Sequence, residues 1–125
     1  MSEALPPMAG KKGLIMGIAN ERSLAWGIAK AVAGHGAELA VTYQSEVLEK
    51  RVRPLAEQLR SSLIMPADVT DPASLDALFA TMAEEWRRLD FVVHAIAYAD
   101  REELKGKYLD TSPDNFQRSL MISCY

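Results

Sequence analysis

With one cysteine, Cys124, the chain of 125 residues has no partner for an internal disulfide, and a reducing, cytoplasmic setting is expected. Histidine is nearly as scarce. His35 and His94 stand alone beside that cysteine and form no metal-ligand cluster. No run approaches the roughly 20 apolar residues of a membrane span, and the N-terminus lacks the apolar core of a signal peptide. Basic residues are outnumbered, 14 Lys and Arg against 17 Asp and Glu, for a net charge of −3. Neither nucleic acid nor a membrane is therefore expected as a partner. The charges are interspersed, as in Glu84-Glu85-Trp86-Arg87-Arg88, and read as solvated helix faces. Glycine is also missing where a standard phosphate-binding Gly-x-Gly-x-x-Gly needs it: Gly17 and Gly27 lie ten apart with none between.

What is present is a regular alternation of apolar stretches. Hydrophobic residues make up 49% and charged residues 25%, enough for one buried core with an ordinary charged exterior. Residues 1–10, with Pro6-Pro7, read as a leader. Gly13-Leu14-Ile15-Met16 reads as a short buried strand. Leu24, Ile28, Ala31 and Val32 then recur at helical spacing as far as His35, where Gly36 suits a left-handed cap. Glu38 to Tyr43 is the second strand. A helix from about Glu46 carries Leu48, Val52, Leu55 and Leu59 on one stripe, with a bend expected at Pro54. Leu63-Ile64-Met65 leads, as a third strand, to Asp68. Asp71-Pro72 opens a third helix, whose buried face is expected to hold Leu75, Leu78, Phe79, Met82 and Trp86. Phe91 to Ile96 reads as a fully buried fourth strand, and after a loop Thr111-Ser112-Pro113-Asp114 opens another helix. The order βαβαβαβα with apolar strands implies an α/β fold, a Rossmann-type doubly wound parallel sheet with strand order 3-2-1-4.

Sheets of this kind bind ligands at the carboxyl ends of their strands. At the first end, Gly17 lets a pyrophosphate approach the main chain, and Ser23 with the first N–H groups of the helix donates hydrogen bonds to it. On that reading a valine at position 17 blocks the cofactor and spares the fold. Gly27, one turn inside, suits close packing of helix on sheet. At the second end, Gln44 can hydrogen-bond the adenosine ribose, while Glu46 repels a 2′-phosphate, so NADH is expected over NADPH. At the third, the Asp68 carboxylate can accept from an adenine amino group and Val69 can meet the ring. Asp68 is equally suited to be a turn residue before the Asp71 cap. At the fourth, small residues Ala95, Ala97 and Ala99 let a flat sugar and nicotinamide lie against the backbone. His94 is expected to be a buried strand histidine rather than a base.

Taken literally, Gly17-Ile18-Ala19-Asn20-Glu21-Arg22-Ser23-Leu24-Ala25-Trp26-Gly27 resembles the divergent cofactor loop of bacterial enoyl-acyl-carrier-protein reductases. Their pattern runs Gly, a loop, Ser, then Ile or Leu, Ala, an aromatic and Gly. His94 to Ala99 is similar to the His-Ser-Ile-Gly-Phe-Ala-like run of the same family, with Ala97 where many relatives have glycine. Ala37 to Ala40, Thr42 to Gln44, Asp68-Val69, Leu104 to Tyr108 and Ile122 to Tyr125 fall in order at family-like spacing. The resemblance implies an NADH- or NADPH-dependent reduction of the trans-2 double bond of an acyl chain on acyl carrier protein, in fatty-acid synthesis, by a homotetramer. It places Gly17, Ser23, Leu24, Gln44, Asp68, Val69 and Ile96 on the cofactor and Ala99 beside the acyl substrate.

The family's chemistry rests on a tyrosine with a lysine six residues later. Tyr43, Tyr98 and Tyr108 are followed at that spacing by Glu49, Leu104 and Asp114, and Tyr125 is the last residue. Residues 11–125 are accordingly expected to be the N-terminal part of a single dinucleotide-binding domain, incomplete at its C-terminus, with no catalytic residue of its own. Two alternatives stay open. A classical short-chain dehydrogenase such as a 3-oxoacyl reductase shares the fold, although the Asn-Asn-Ala-Gly of that group is absent. A non-catalytic NAD-binding module explains the missing pair without truncation.

Overall fold

A computed structural model of the chain describes residues 4–125. It falls into two compact units, one ending at Ala95 and the other Ile96–Tyr125. The first contains β1 (Lys12–Met16), α1 (Leu24–Gly34), β2 (Glu38–Tyr43), α2 (Glu46–Gln58), β3 (Leu63–Pro66), α3 (Pro72–Trp86) and β4 (Phe91–His94). The strands are parallel in the order β3-β2-β1-β4, as expected. Helices α1 and α2, which connect β1 to β2 and β2 to β3, pack into one core cluster with the sheet.

Strands β1 and β2 are covered on both sides, which is why they read as unbroken apolar runs. Ile15, Leu39 and Val41 join Val52, Leu55 and Ala56 of α2 and Ala25, Trp26 and Ala29 of α1 in one cluster. Leu14 and Ala40, adjacent across the β1–β2 register, are fully buried too.

Local chemistry sets the element ends as the sequence implied. Asp71 caps α3 by accepting from the Ala73 N–H at 3.0 Å, with Pro72 in the first turn. Gly36 takes φ +99° after α1, and the Ala37 N–H closes back on the Val32 carbonyl. Helix α2 continues through Pro54, whose ring leaves the Lys50 carbonyl without its usual donor. Residues 6–9 pack back on the Gly36 cap, the Met8 N–H donating to the His35 carbonyl at 2.9 Å.

Four sequence readings are corrected. The buried face of α1 is Ala25, Trp26 and Ala29, whereas Leu24, Ile28 and Ala31 are exposed. The bulky Trp26 ring, not the aliphatic stripe, decides which side turns inward. Gly27 is exposed and a Cβ there would meet nothing, so it makes no close contact with the sheet. On α3 only Leu78, Met82 and Trp86 are buried; Leu75 is half-buried and Phe79 is 45% exposed. Finally, β4 stops at His94 and is only half covered. Phe91 and Val93 pack on the core, while Val92 and His94, on the other face, are exposed. Strand β4 pairs with β1 alone among the described residues, and Gly13 of β1 lies directly under the Phe91 ring.

At the amino ends of the strands a polar latch ties three elements together. Glu38 accepts from the Lys12 ammonium at 2.7 Å, the Ser62 hydroxyl at 2.8 Å and the Trp86 indole N–H at 3.2 Å. The Lys12 ammonium also lies 5.2 Å from the Trp86 ring centroid. Lys12 first, then the Ser62 hydroxyl, holds the Glu38 carboxyl below its ordinary value. A depressed folded-state pKa adds stability above the unfolded value of about 4.5, lost as pH falls through the folded value. Glu38 is 44% exposed, so solvent screening keeps this small. Replacing Glu38 by glutamine is expected to cost about 1 kcal/mol at neutral pH and to flatten the pH dependence of thermal unfolding below pH 5. An unchanged melting profile between pH 3 and 7 would show the latch to be energetically idle.

The second unit contains two short 3₁₀ turns, Arg101–Leu104 and Tyr108–Asp110, inside the expected loop, and α4 (Pro113–Ser123). Ser112 caps α4 by accepting from the Asn115 N–H at 3.1 Å, with Pro113 in the first turn.

Candidate functional site

Parallel pairing of β1, β2 and β3 brings their carboxyl ends to one edge of the first unit, and six of the expected contact residues sit there. Gly17 follows β1, and Ser23 and Leu24 start α1. Gln44 follows β2, and Asp68 and Val69 lie two and three residues beyond β3. Ile96 and Ala99 belong to the second unit, in the irregular segment that follows Ala95; both are half-buried.

The loop from Gly17 to Ser23 is held by its own last residue. The Ser23 hydroxyl oxygen accepts from the N–H groups of Ala19 and Asn20 at 3.0 and 3.1 Å. The Asn20 side chain accepts from the Arg22 N–H at 2.8 Å, tightening the same turn. With both acceptor positions used, the Ser23 hydroxyl proton is free to donate. Ser23 is also the residue before α1, yet its side chain does not cap that helix. Helices α2, α3 and α4 all have side-chain caps, and α2 and α4 carry acids in their first turns; α1 has neither. Its positive end therefore carries no compensating side chain and can accept an anion.

Gly17 is required for a reason the sequence did not show. Its φ is +113°, and a Cβ built on it would strike the carbonyl of Ala95 at the end of β4. The Ala95 N–H donates to the Met16 carbonyl at 3.0 Å, which locks this close approach. The missing side chain therefore makes room for the chain itself, and the expectation that a valine here spares the fold is corrected.

Gln44 is exposed beside Ser45, which caps α2. Glu46 and Glu49 occupy the first turn of α2, where the helix dipole favours them. The basic Arg53 is paired with Glu49 at 2.7 Å. Asp68 is the turn residue foreseen for it before the Asp71 cap. One carboxylate oxygen accepts from the Thr70 hydroxyl at 2.6 Å and the Thr70 N–H at 2.9 Å, a turn that leads into the Asp71 cap. The Thr70 hydroxyl first, then its N–H, lowers the Asp68 pKa, so the group is a carboxylate acceptor at neutral pH. Its second oxygen has no partner among the described residues. Val69 beside it is half-buried.

His94 is exposed rather than buried, a correction that follows from the uncovered outer face of β4. A groove of about 510 Å³ lies beside the cradle, between Asn20, Glu21 and Arg22 of the loop and Arg51, Pro54, Leu55 and Gln58 of α2. It includes none of the expected contact residues. Sequence reasoning missed two things, Ser23 as organiser of its own loop and Ala95 as the wall against Gly17. The Asn20 turn so close before Ser23 was a legible sign of the first; nothing local signals the second.

Known proteins share this fold and sequence pattern. The family model described as enoyl-(acyl carrier protein) reductase matches residues 17–125. The NADH-type enoyl-acyl-carrier-protein reductase 1 of Rhizobium meliloti is 55% identical over 125 residues, covering 100% of this chain and 46% of that protein. Among solved structures, the reductase of Anaplasma phagocytophilum in complex with NAD is 60% identical with a TM-score of 0.91, over 94% of this chain and 45% of that one. The Bacillus cereus reductase with NADP+ and indole naphthyridinone is 44% identical with a TM-score of 0.88, over 92% of this chain and 46% of that one. The chain thus spans about half the length of the curated relatives it matches. On the family match, the relatives and the shared fold together, the chain belongs to the enoyl-acyl-carrier-protein reductase family.

Proposed function

We propose that this chain forms the cofactor-binding half of an enzyme that transfers a hydride from NADH to the trans-2 double bond of an acyl thioester on acyl carrier protein. The observation that carries the reading is the β1–α1 junction. There Ser23 ties up the loop, keeps a hydroxyl proton to donate and leaves α1 without cap or acid. That donor set fits a pyrophosphate. Gly17, Ser23 and Leu24 would line the pyrophosphate, Gln44 the adenosine ribose, and Asp68 with Val69 the adenine. Ile96 would contact the nicotinamide end of the cofactor, and Ala99 the acyl chain. When bound, NADH supplies the hydride; these residues bind and orient it. A tyrosine that stabilises the developing enolate, and a lysine that holds the nicotinamide ribose and lowers the tyrosine's pKa, would come from the rest of the protein. Assembly as a homotetramer in the cytoplasm belongs to the same proposal. No helix among the described residues is long and apolar enough to cross a membrane.

Cofactor choice gives a direct test. Gln44 is neutral, Glu46 is exposed beside it and Arg53 is engaged by Glu49, so nothing positive is offered to a 2′-phosphate at the end of β2. The full-length enzyme is expected to show kcat/KM at least about tenfold higher with NADH than with NADPH, the size of one lost charged contact. A preference for NADPH would mean that a basic residue elsewhere, such as Arg22, reaches the ribose.

A further inference from the structure

Helix α4 is amphipathic in an inverted sense. Asn115, Ser119 and Ser123, four residues apart, share one face, and Asn115 is the residue of α4 that is buried, at 8% exposure. Phe116, Leu120 and Met121 are 45–57% exposed. Packing alone favours the opposite choice, so the polar face calls for another explanation. Its partners supply one. The Asn115 side-chain oxygen accepts from the Asp100 N–H at 2.8 Å and lies 3.5 Å from the Ser119 hydroxyl. The Ser123 hydroxyl oxygen accepts from the Tyr98 N–H at 2.9 Å, and its own proton reaches the Tyr98 carbonyl at 3.4 Å. Asp100 is held twice more, by accepting from the Glu102 N–H at 3.1 Å and by the Arg118 guanidinium at 4.0 Å. The backbone is therefore pinned on both sides of Ala99, by two side chains of one helix.

We propose that Asn115 and Ser123 are positioning residues: by fixing the backbone at Tyr98 and Asp100 they set where Ala99 stands for the acyl thioester. This rests on the function proposed above. A pinned backbone matters because a small shift of a binding wall lowers the fraction of substrate held in a reactive pose. The consequence falls on the thioester and spares NADH affinity.

The test uses the full-length enzyme with crotonyl-acyl-carrier-protein as substrate and fluorescence titration for NADH. Asn115→Ala is expected to lower kcat/KM for the thioester about tenfold, mainly through kcat, and Ser123→Ala about fivefold, each the scale of a lost hydrogen bond. NADH affinity should stay within about twofold of wild type. Ser123→Thr, which keeps the hydroxyl, should recover most of the Ser123→Ala loss. Should Asn115→Ala fail to fold, the half-buried Ser123→Ala still decides the matter. Unchanged thioester kinetics in Ser123→Ala would overturn the positioning role, as would a parallel loss of NADH affinity and melting temperature. Wild-type enzyme that reduces no enoyl thioester with NADH would instead sink the functional reading, and this role with it.

Discussion

Gly17→Val is expected to unfold the junction of β1 and β4, not merely to empty the cradle. At φ +113° a β-branched residue is strained, and its Cβ would fall on the Ala95 carbonyl, a backbone atom that cannot rotate away. Relief requires the Ala95 N–H to release the Met16 carbonyl, and with it the last link between the two strands. Strain, overlap and a broken ladder bond together put the cost at about 4 kcal/mol or more. In a protein of the relatives' length that is a fall of roughly 10 °C in Tm. Gly17→Ala should show the same effect in weaker form, because the overlap arises at Cβ. Thermal melts followed by circular dichroism, beside NADH titration, separate the possibilities. If Gly17→Val melts within about 2 °C of wild type while NADH binding is lost, a change of about 1 kcal/mol or less, the glycine serves the ligand alone.

The other large effect concerns residues 1–125 expressed as a separate polypeptide, which should show no enoyl-thioester reduction at all. Tyr43, Tyr98 and Tyr108 have Glu49, Leu104 and Asp114 six residues on, so the pair that does the family's chemistry is not among these residues. The same polypeptide should self-associate. One edge of β4 has no strand beside it among the described residues, and Val92 on its outer face is 50% exposed. An open apolar edge invites pairing between molecules. Light scattering and a crotonyl-thioester assay test both statements. Measurable turnover would place the catalytic groups inside this stretch. A soluble monomer that melts cooperatively would favour an independent NAD-binding module.

The architecture was legible in the sequence because it is written in local patterns. Apolar runs of strand length, Asp71-Pro72 and Ser112-Pro113 at helix starts and Gly36 at a helix end each carry their own physical reason. The strand order expected is the usual one for a doubly wound sheet, and the order found is that one. The chemistry of the cradle was partly legible as well. Ser23 and Asp68 lie at the carboxyl ends of the strands, as read from the sequence, and each serves its own loop through bonds no pattern announces.

What only the tertiary structure decided is which apolar residues turn inward and which backbone atoms collide. Leu24, Ile28 and Phe79 sit at helical spacing yet are exposed, because burial depends on the neighbour opposite and not on the period. The Gly17–Ala95 approach joins residues 78 apart in sequence through the β1–β4 pairing, and the Asn115 and Ser123 bonds to Asp100 and Tyr98 likewise need the fold to exist first. A one-dimensional pattern records what a residue can do; contacts between distant segments select which of those things it does.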